Sequence, residues 1–154
     1  ESLLTTVTRA LEKTGFPGES LVLELTETAL MLDTAKTERI LLTLQKMGVR
    51  IALDDFGTGY SSLAYLKRFP IDKLKIDRAF IDGLPHDSDD KAITASILDV
   101  SRHLGLETVA EGVETQEQAA YLTANGCDVA QGYFYSYPLS PDELETVISN
   151  SNAI

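Results

Sequence analysis

Two adjacent carboxylates, Asp54 and Asp55, close an apolar run of Val49, Ile51, Ala52 and Leu53 and precede Phe56-Gly57-Thr58-Gly59. Other charged or polar groups stand at comparable places. Glu24 and Glu27 lie in and after LVLELTE, Lys75 and Asp77 in KLKID, Glu111 and Glu114 after TVA, and Gln131 after DVA. Gathered at one edge, these groups have two chemical readings. Acids facing one lysine make an ion-pair network. Acids facing a hard divalent cation make a metal site, since Mg²⁺ and Mn²⁺ prefer carboxylate, amide oxygen and water. A carboxylate such as Asp54 can bridge two ions while its neighbour holds the second. Two ions about 3.5–4 Å apart activate one water and stabilise the leaving oxygen of an in-line phosphoryl displacement. A lysine beside them orients the water or neutralises developing charge. Glu24 and Lys75 both interrupt apolar runs, where breaking a buried ion pair costs about 3–5 kcal/mol, so each needs a compensating partner. His86 and His103 are isolated in a polar loop and near a helix end, which disfavours zinc.

These groups need strands that end at one edge. Helical spacing predicts a helix over Ser2–Thr14, stopped by Gly15 and Pro17. A strand over Leu21–Leu25 follows, then a helix over Thr34–Met47. After the Asp54-Asp55 strand, Gly57 and Gly59 permit a turn, Ser61 or Ser62 caps a short helix over Leu63–Lys67, and Lys73–Ile76 is a strand. Asp89 or Asp90 caps a helix running to His103. Thr108–Ala110 is a strand, Thr115 caps a helix over Gln116–Ala124, Asp128–Ala130 is a strand, and Asp142–Ser149 is a last helix. One helix and five βα units predict an α/β fold with a parallel sheet and right-handed crossovers. Strand count and length alone favour a five-stranded doubly wound sheet. Either way, the chemistry belongs at the C-terminal ends of the strands.

The bulk properties narrow the function. A net charge of −11 over 154 residues argues against a DNA or RNA groove, which needs a basic stripe. It leaves room for a small anionic substrate received through bound cations. No apolar stretch reaches the length of a membrane span and no leader is visible, so the segment predicts a cytoplasmic location without membrane contact, whatever anchor the parent protein carries. The absence of an initiating Met hints at an excised fragment. Cys127 is the only cysteine, excludes an internal disulfide and reads as a small core-facing residue.

The blocks ELTET (Glu24–Thr28), ALDDFGTGYSSL (Ala52–Leu63), KLKIDRAFI (Lys73–Ile81), VAEGVET (Val109–Thr115) and QGYFYSYPLS (Gln131–Ser140) resemble the EAL-domain family of cyclic di-GMP phosphodiesterases. Receiver domains of two-component signalling share five βα units and an acid pair. Their pair closes the first strand, however, and they have no place for FGTGYSSL.

The resemblance implies a TIM-like (β/α) barrel with one antiparallel strand. It also implies hydrolysis of cyclic di-GMP to linear pGpG with two Mg²⁺ or Mn²⁺ ions. Carried over by motif, Glu24, Asp54, Asp55 and Glu111 are implied metal ligands, with Asp54 bridging. Lys75 holds the attacking water, Asp77 supports Lys75 or the second ion, and Glu114 and Gln131 line the substrate site. Glu27 braces the loop Phe56–Ser62, which in the family couples metal binding to homodimer contacts. The family's Glu-Ala-Leu segment and a metal-binding Asn are absent and belong upstream of Glu1. Residues 1–154 therefore read as the C-terminal part of a single such domain, a partial barrel lacking its N-terminal strands. Tyr137 stands where the family often has Arg or Lys. The alternative reading is an EAL-like module that binds cyclic di-GMP or a protein partner without hydrolysis.

Overall fold

The computed structural model describes residues 2–31, 34–57 and 63–151. The chain opens with α1 (Leu3–Thr14), capped by the Ser2 hydroxyl, which accepts from the Thr5 N–H, and closed by Gly15 in the left-handed region. There follow β1 (Val22–Thr26), α2 (Glu27–Met31), α3 (Thr34–Lys46), β2 (Arg50–Phe56), α4 (Leu63–Arg68) and β3 (Lys73–Ile76). The second half contains α5 (Ser88–Leu104), β4 (Glu107–Ala110), α6 (Gln116–Ala124), β5 (Val129–Ala130) and α7 (Pro141–Ser151). Short 3₁₀ turns occupy Gly18–Ser20 and Arg78–Phe80.

The five strands pair in the order β1-β2-β3-β4-β5, each pair parallel. A doubly wound sheet reverses its strand order at a switch point. This one advances in one direction throughout, so right-handed crossovers keep the connecting helices on one face, as in a (β/α) barrel. The doubly wound reading from strand count is thereby corrected. Pattern alone cannot distinguish the two, because both alternate β and α.

The core lies between sheet and helices. Ile51, Leu53, Leu74, Ile76 and Ala110 from the strands are almost fully buried against Leu41, Leu44, Ile81, Leu98, Val113 and Leu122. Each large aliphatic side chain so buried contributes roughly 1.5–3 kcal/mol. The N-terminal edge of the sheet is tied by polar groups of its own. Asp72 accepts from the Ile51 N–H at 2.8 Å, and Lys73 pairs with Glu107 at 2.9 Å.

Several boundaries differ from the sequence expectation. The short helix α2 follows β1 directly, where no helix was expected, because its five residues are too few to show a helical period. The cap of α5 is Asp87. Its carboxylate accepts from the N–H groups of Asp89 and Asp90, so those two residues lie in the first turn. Thr115 caps α6 as expected, completed by the Gln118 side chain in a capping box. The expected turn glycine Gly59 and the expected caps Ser61 and Ser62 lie outside the described residues.

Candidate active site

β2 does not end at Leu53. It continues through both acids to Phe56, which pairs with Ile76, while Leu53 pairs with Leu74. Three steps on β2 therefore match two on β3, and the extra residue is a bulge. Asp55 takes a φ of 55° there, in the left-handed region that Asp tolerates better than most residues. In a regular strand, successive side chains would point to opposite faces. The bulge breaks that alternation where the two acids follow one another. The Asp54 carboxylate also accepts from the Asp55 N–H at 3.1 Å.

β3 contributes Lys75, whose side chain is 8% exposed. Its ammonium meets Glu111 at 2.7 Å, Glu24 at 2.8 Å and Asp54 at 3.0 Å. The register explains the convergence. Glu24 is opposite Ala52, and Lys75 is opposite Val109, so strands β1 to β4 present these groups toward the same C-terminal edge. Burial alone would push the Lys75 ammonium down. Hydrogen bonds with Glu111, Glu24 and Asp54 more than reverse that, holding its pKa above the ordinary lysine value. Lys75 is accordingly a firmly protonated donor. Glu24 departs from expectation. Its side chain is 53% exposed, because β1 is an edge strand here and only one side of Glu24 is covered.

Asp55 stands beside this cluster. The Asp54 charge raises its pKa most, with burial and Asp77 adding to the effect and Lys75 opposing it. Asp77 hydrogen-bonds the Asp55 carboxyl and also caps the Arg78–Phe80 turn, accepting from the Ala79 N–H at 2.8 Å. Glu27 begins α2 and is buried.

A cleft of about 300 Å³ leads away from Glu111 across the ends of β4 and β5. Glu114 and Gln131 line it together with Arg78 and Tyr133. The sequence reading missed Arg78 and Tyr133. The available signal was their place directly after a strand-end polar residue, Arg78 behind Asp77 and Tyr133 behind Gln131-Gly132. The expected residues thus fall into an inner group (Glu24, Asp54, Asp55, Lys75, Asp77, Glu111) and a cleft group (Glu114, Gln131), with Glu111 common to both. His86 instead pairs with Glu117, and His103 with Asp99.

The donor set fits hard cations in kind, being carboxylate oxygens gathered at one edge, with the Asp54 charge raising the Asp55 pKa. Among the described residues, no three acidic, histidine or cysteine side chains form a metal cage as they stand. Glu24, Asp54 and Glu111 instead share one ammonium. No helix among the described residues is long and apolar enough to cross a membrane.

Comparison with known proteins places this geometry in context. The chain is 47% identical over 144 residues to NbdA, a cyclic di-GMP phosphodiesterase of Pseudomonas aeruginosa, covering 94% of this chain and 18% of NbdA. Among solved structures it resembles the PaMucR phosphodiesterase in complex with c-di-GMP, with a TM-score of 0.88 and 48% identity, over 92% of this chain and 57% of that one. It also resembles BlrP1 of Klebsiella pneumoniae in a manganese and cyclic di-GMP complex, with a TM-score of 0.81 and 33% identity, over 88% of this chain and 34% of that one. It thus spans only a part of each. A family model described as the EAL domain matches residues 1–138, and with strand ends that carry the expected acids in order, the chain belongs to the EAL domain family.

Proposed function

We propose that this chain is the C-terminal part of a single EAL domain that hydrolyses cyclic di-GMP to linear pGpG. The observation that carries the reading is the convergence of Glu24, Asp54 and Glu111 on buried Lys75 at the C-terminal edge of a parallel sheet. Relatives that are cyclic di-GMP phosphodiesterases support the substrate. Two open sheet edges, β1 and β5, and coverage of only 57% of the PaMucR chain support the partial-domain reading.

In this reading Glu24, Asp54, Asp55 and Glu111 would hold Mg²⁺ or Mn²⁺. Ions held there would lower the pKa of the attacking water and compensate charge at the leaving oxygen. The water oxygen bonds to phosphorus, one P–O ester bond breaks, and the departing ribose oxygen gains in net terms the proton that the water releases, opening the ring. Lys75 serves as a donor. Its N–H groups, which reach Glu24, Asp54 and Glu111, would orient the water and face developing negative charge. Asp77 caps the turn that carries Arg78 and adds a negative charge beside Asp55. Glu27, buried where β1 passes into α2, braces the segment after Asp55.

The test is Asp54→Ala in the full-length protein, assayed for cyclic di-GMP hydrolysis with Mn²⁺. Hydrolysis is expected to be lost. Near-normal turnover would sink the assignment. If the unsubstituted protein binds cyclic di-GMP without turnover, the enzyme reading gives way to a binding module.

A further inference from the structure

Arg78 has no role in the chemistry above, yet it is held with unusual care for a side chain that is 54% exposed. The turn capped by Asp77 sets its backbone. Its Nε donates to Asp82 at 3.1 Å, and one terminal nitrogen pairs with Glu114 at 2.9 Å. Its stem lies flat on the backbone of Gly112. A Cβ at Gly112 would come within 2.5 Å of the Arg78 Cγ, and Gly112 has a φ of 71°. The guanidinium is thus fixed in the wall of the cleft that begins at Glu111, together with Glu114, Gln131 and Tyr133.

We propose that Arg78 is a specificity-determining residue that reads a guanine base of the substrate in this cleft. The inference rests on the phosphodiesterase reading of the neighbouring acids, which assigns the phosphate under attack to the Lys75 end. Two carboxylates already compensate the Arg78 charge, which makes it a poor anchor for a second phosphate. They engage its Nε and one terminal nitrogen, and the remaining N–H groups of the five, on the two terminal nitrogens, can still be directed at a base. Guanine offers acceptors at O6 and N7, and donors at N1 and N2. An arginine fork meets the acceptors, the Glu114 carboxylate can meet the donors, and Tyr133 supplies an aromatic ring in the same wall. Adenine carries an amino donor where guanine has O6, so it would oppose N–H with N–H.

The experiment measures binding of cyclic di-GMP and cyclic di-AMP by calorimetry on the full-length protein and its Arg78→Ala and Arg78→Lys variants. It adds hydrolysis of cyclic di-GMP and of the base-free diester bis(p-nitrophenyl) phosphate. Arg78→Ala is expected to weaken cyclic di-GMP binding about ten- to hundredfold, the worth of one bidentate base contact. The loss should appear in KM more than in kcat, the preference over cyclic di-AMP should shrink, and turnover of the base-free diester should stay unchanged. Arg78→Lys retains the charge without the fork and should behave like Arg78→Ala. Unchanged preference in Arg78→Ala, equal loss on the base-free diester, or full preference in Arg78→Lys would each overturn the inference, as would an unsubstituted protein that binds no cyclic di-GMP. If the protein binds but does not hydrolyse, the function above falls, while the Arg78 reading still stands or falls on the binding data.

Discussion

Replacing Lys75 by Met keeps an unbranched buried stem and removes the charge that three carboxylates share. Removing one partner from a fully buried pair costs about 3–5 kcal/mol. The three acids here are unequal. Glu24 is 53% exposed and can turn to water, so its share falls to that of a surface pair, below about 1 kcal/mol. Asp54 and Glu111 are 23% and 24% exposed and are left facing one another across the vacated position. Discounting for that partial solvation gives a net loss of about 2–3 kcal/mol. The assay is hydrogen exchange at pH 7 in peptides covering β2 to β4 of the full-length protein, where protection should fall about 30- to 150-fold. The sign of the pH dependence follows from the raised pKa of Lys75. Its contribution is complete below the ordinary lysine value near 10.5 and is lost as pH rises through the higher folded value. The difference between the two proteins should therefore be flat from about pH 6 to 9 and narrow only in strong alkali. Protection within twofold of the parent at neutral pH would refute the view that this lysine binds the strand ends together.

Two further outcomes can be checked separately. Asp128 accepts from the Thr108 N–H at 2.8 Å and from its hydroxyl at 2.7 Å, and these bonds hold its pKa below the ordinary carboxylate range. The stability it supplies is present above an unfolded pKa of about 3.9 and is lost as pH falls through the lower folded value. Asp128→Asn should cost roughly 1 kcal/mol at pH 7 and nothing at the acid end of a urea-unfolding series, so an equal loss at both ends would be contrary. The isolated 154-residue chain should self-associate in size-exclusion chromatography and show no hydrolysis with Mn²⁺, since β1 and β5 are open edges and Tyr133, Phe134, Tyr135 and Tyr137 are exposed. A monomer with turnover would contradict both statements.

Much of the frame was legible because its signals are local. KLKI reads as a strand and is one, residue for residue, and Thr115 announces the start of α6. Glu24 and Lys75 stood out as charges in apolar surroundings, and the structure gives each a partner in the other. The exposure of Glu24 was not legible, since it depends on β1 lying at an edge. The continuation of β2 through two aspartates was hidden for a related reason. Only pairing of Phe56 with Ile76 makes that stretch a strand. Strand order, which separates a barrel arc from a doubly wound sheet, leaves no mark in hydrophobic period. Arg78 was passed over because its importance comes from Gly112 and Glu114, more than thirty positions away.

The left-handed backbone at Asp55 also constrains which replacements are neutral to geometry there. Asn and Gly occupy that region with little penalty, while a side chain branched at Cβ strains the bulge before any question of charge arises. Replacement by Asn or Gly would remove the charge and still fit the backbone at the rim of the sheet. A chain carrying Asn at position 55 would keep the backbone of the bulge after losing the charge. For the same reason, Asp55→Asn separates charge from conformation in a way that Asp55→Ala does not.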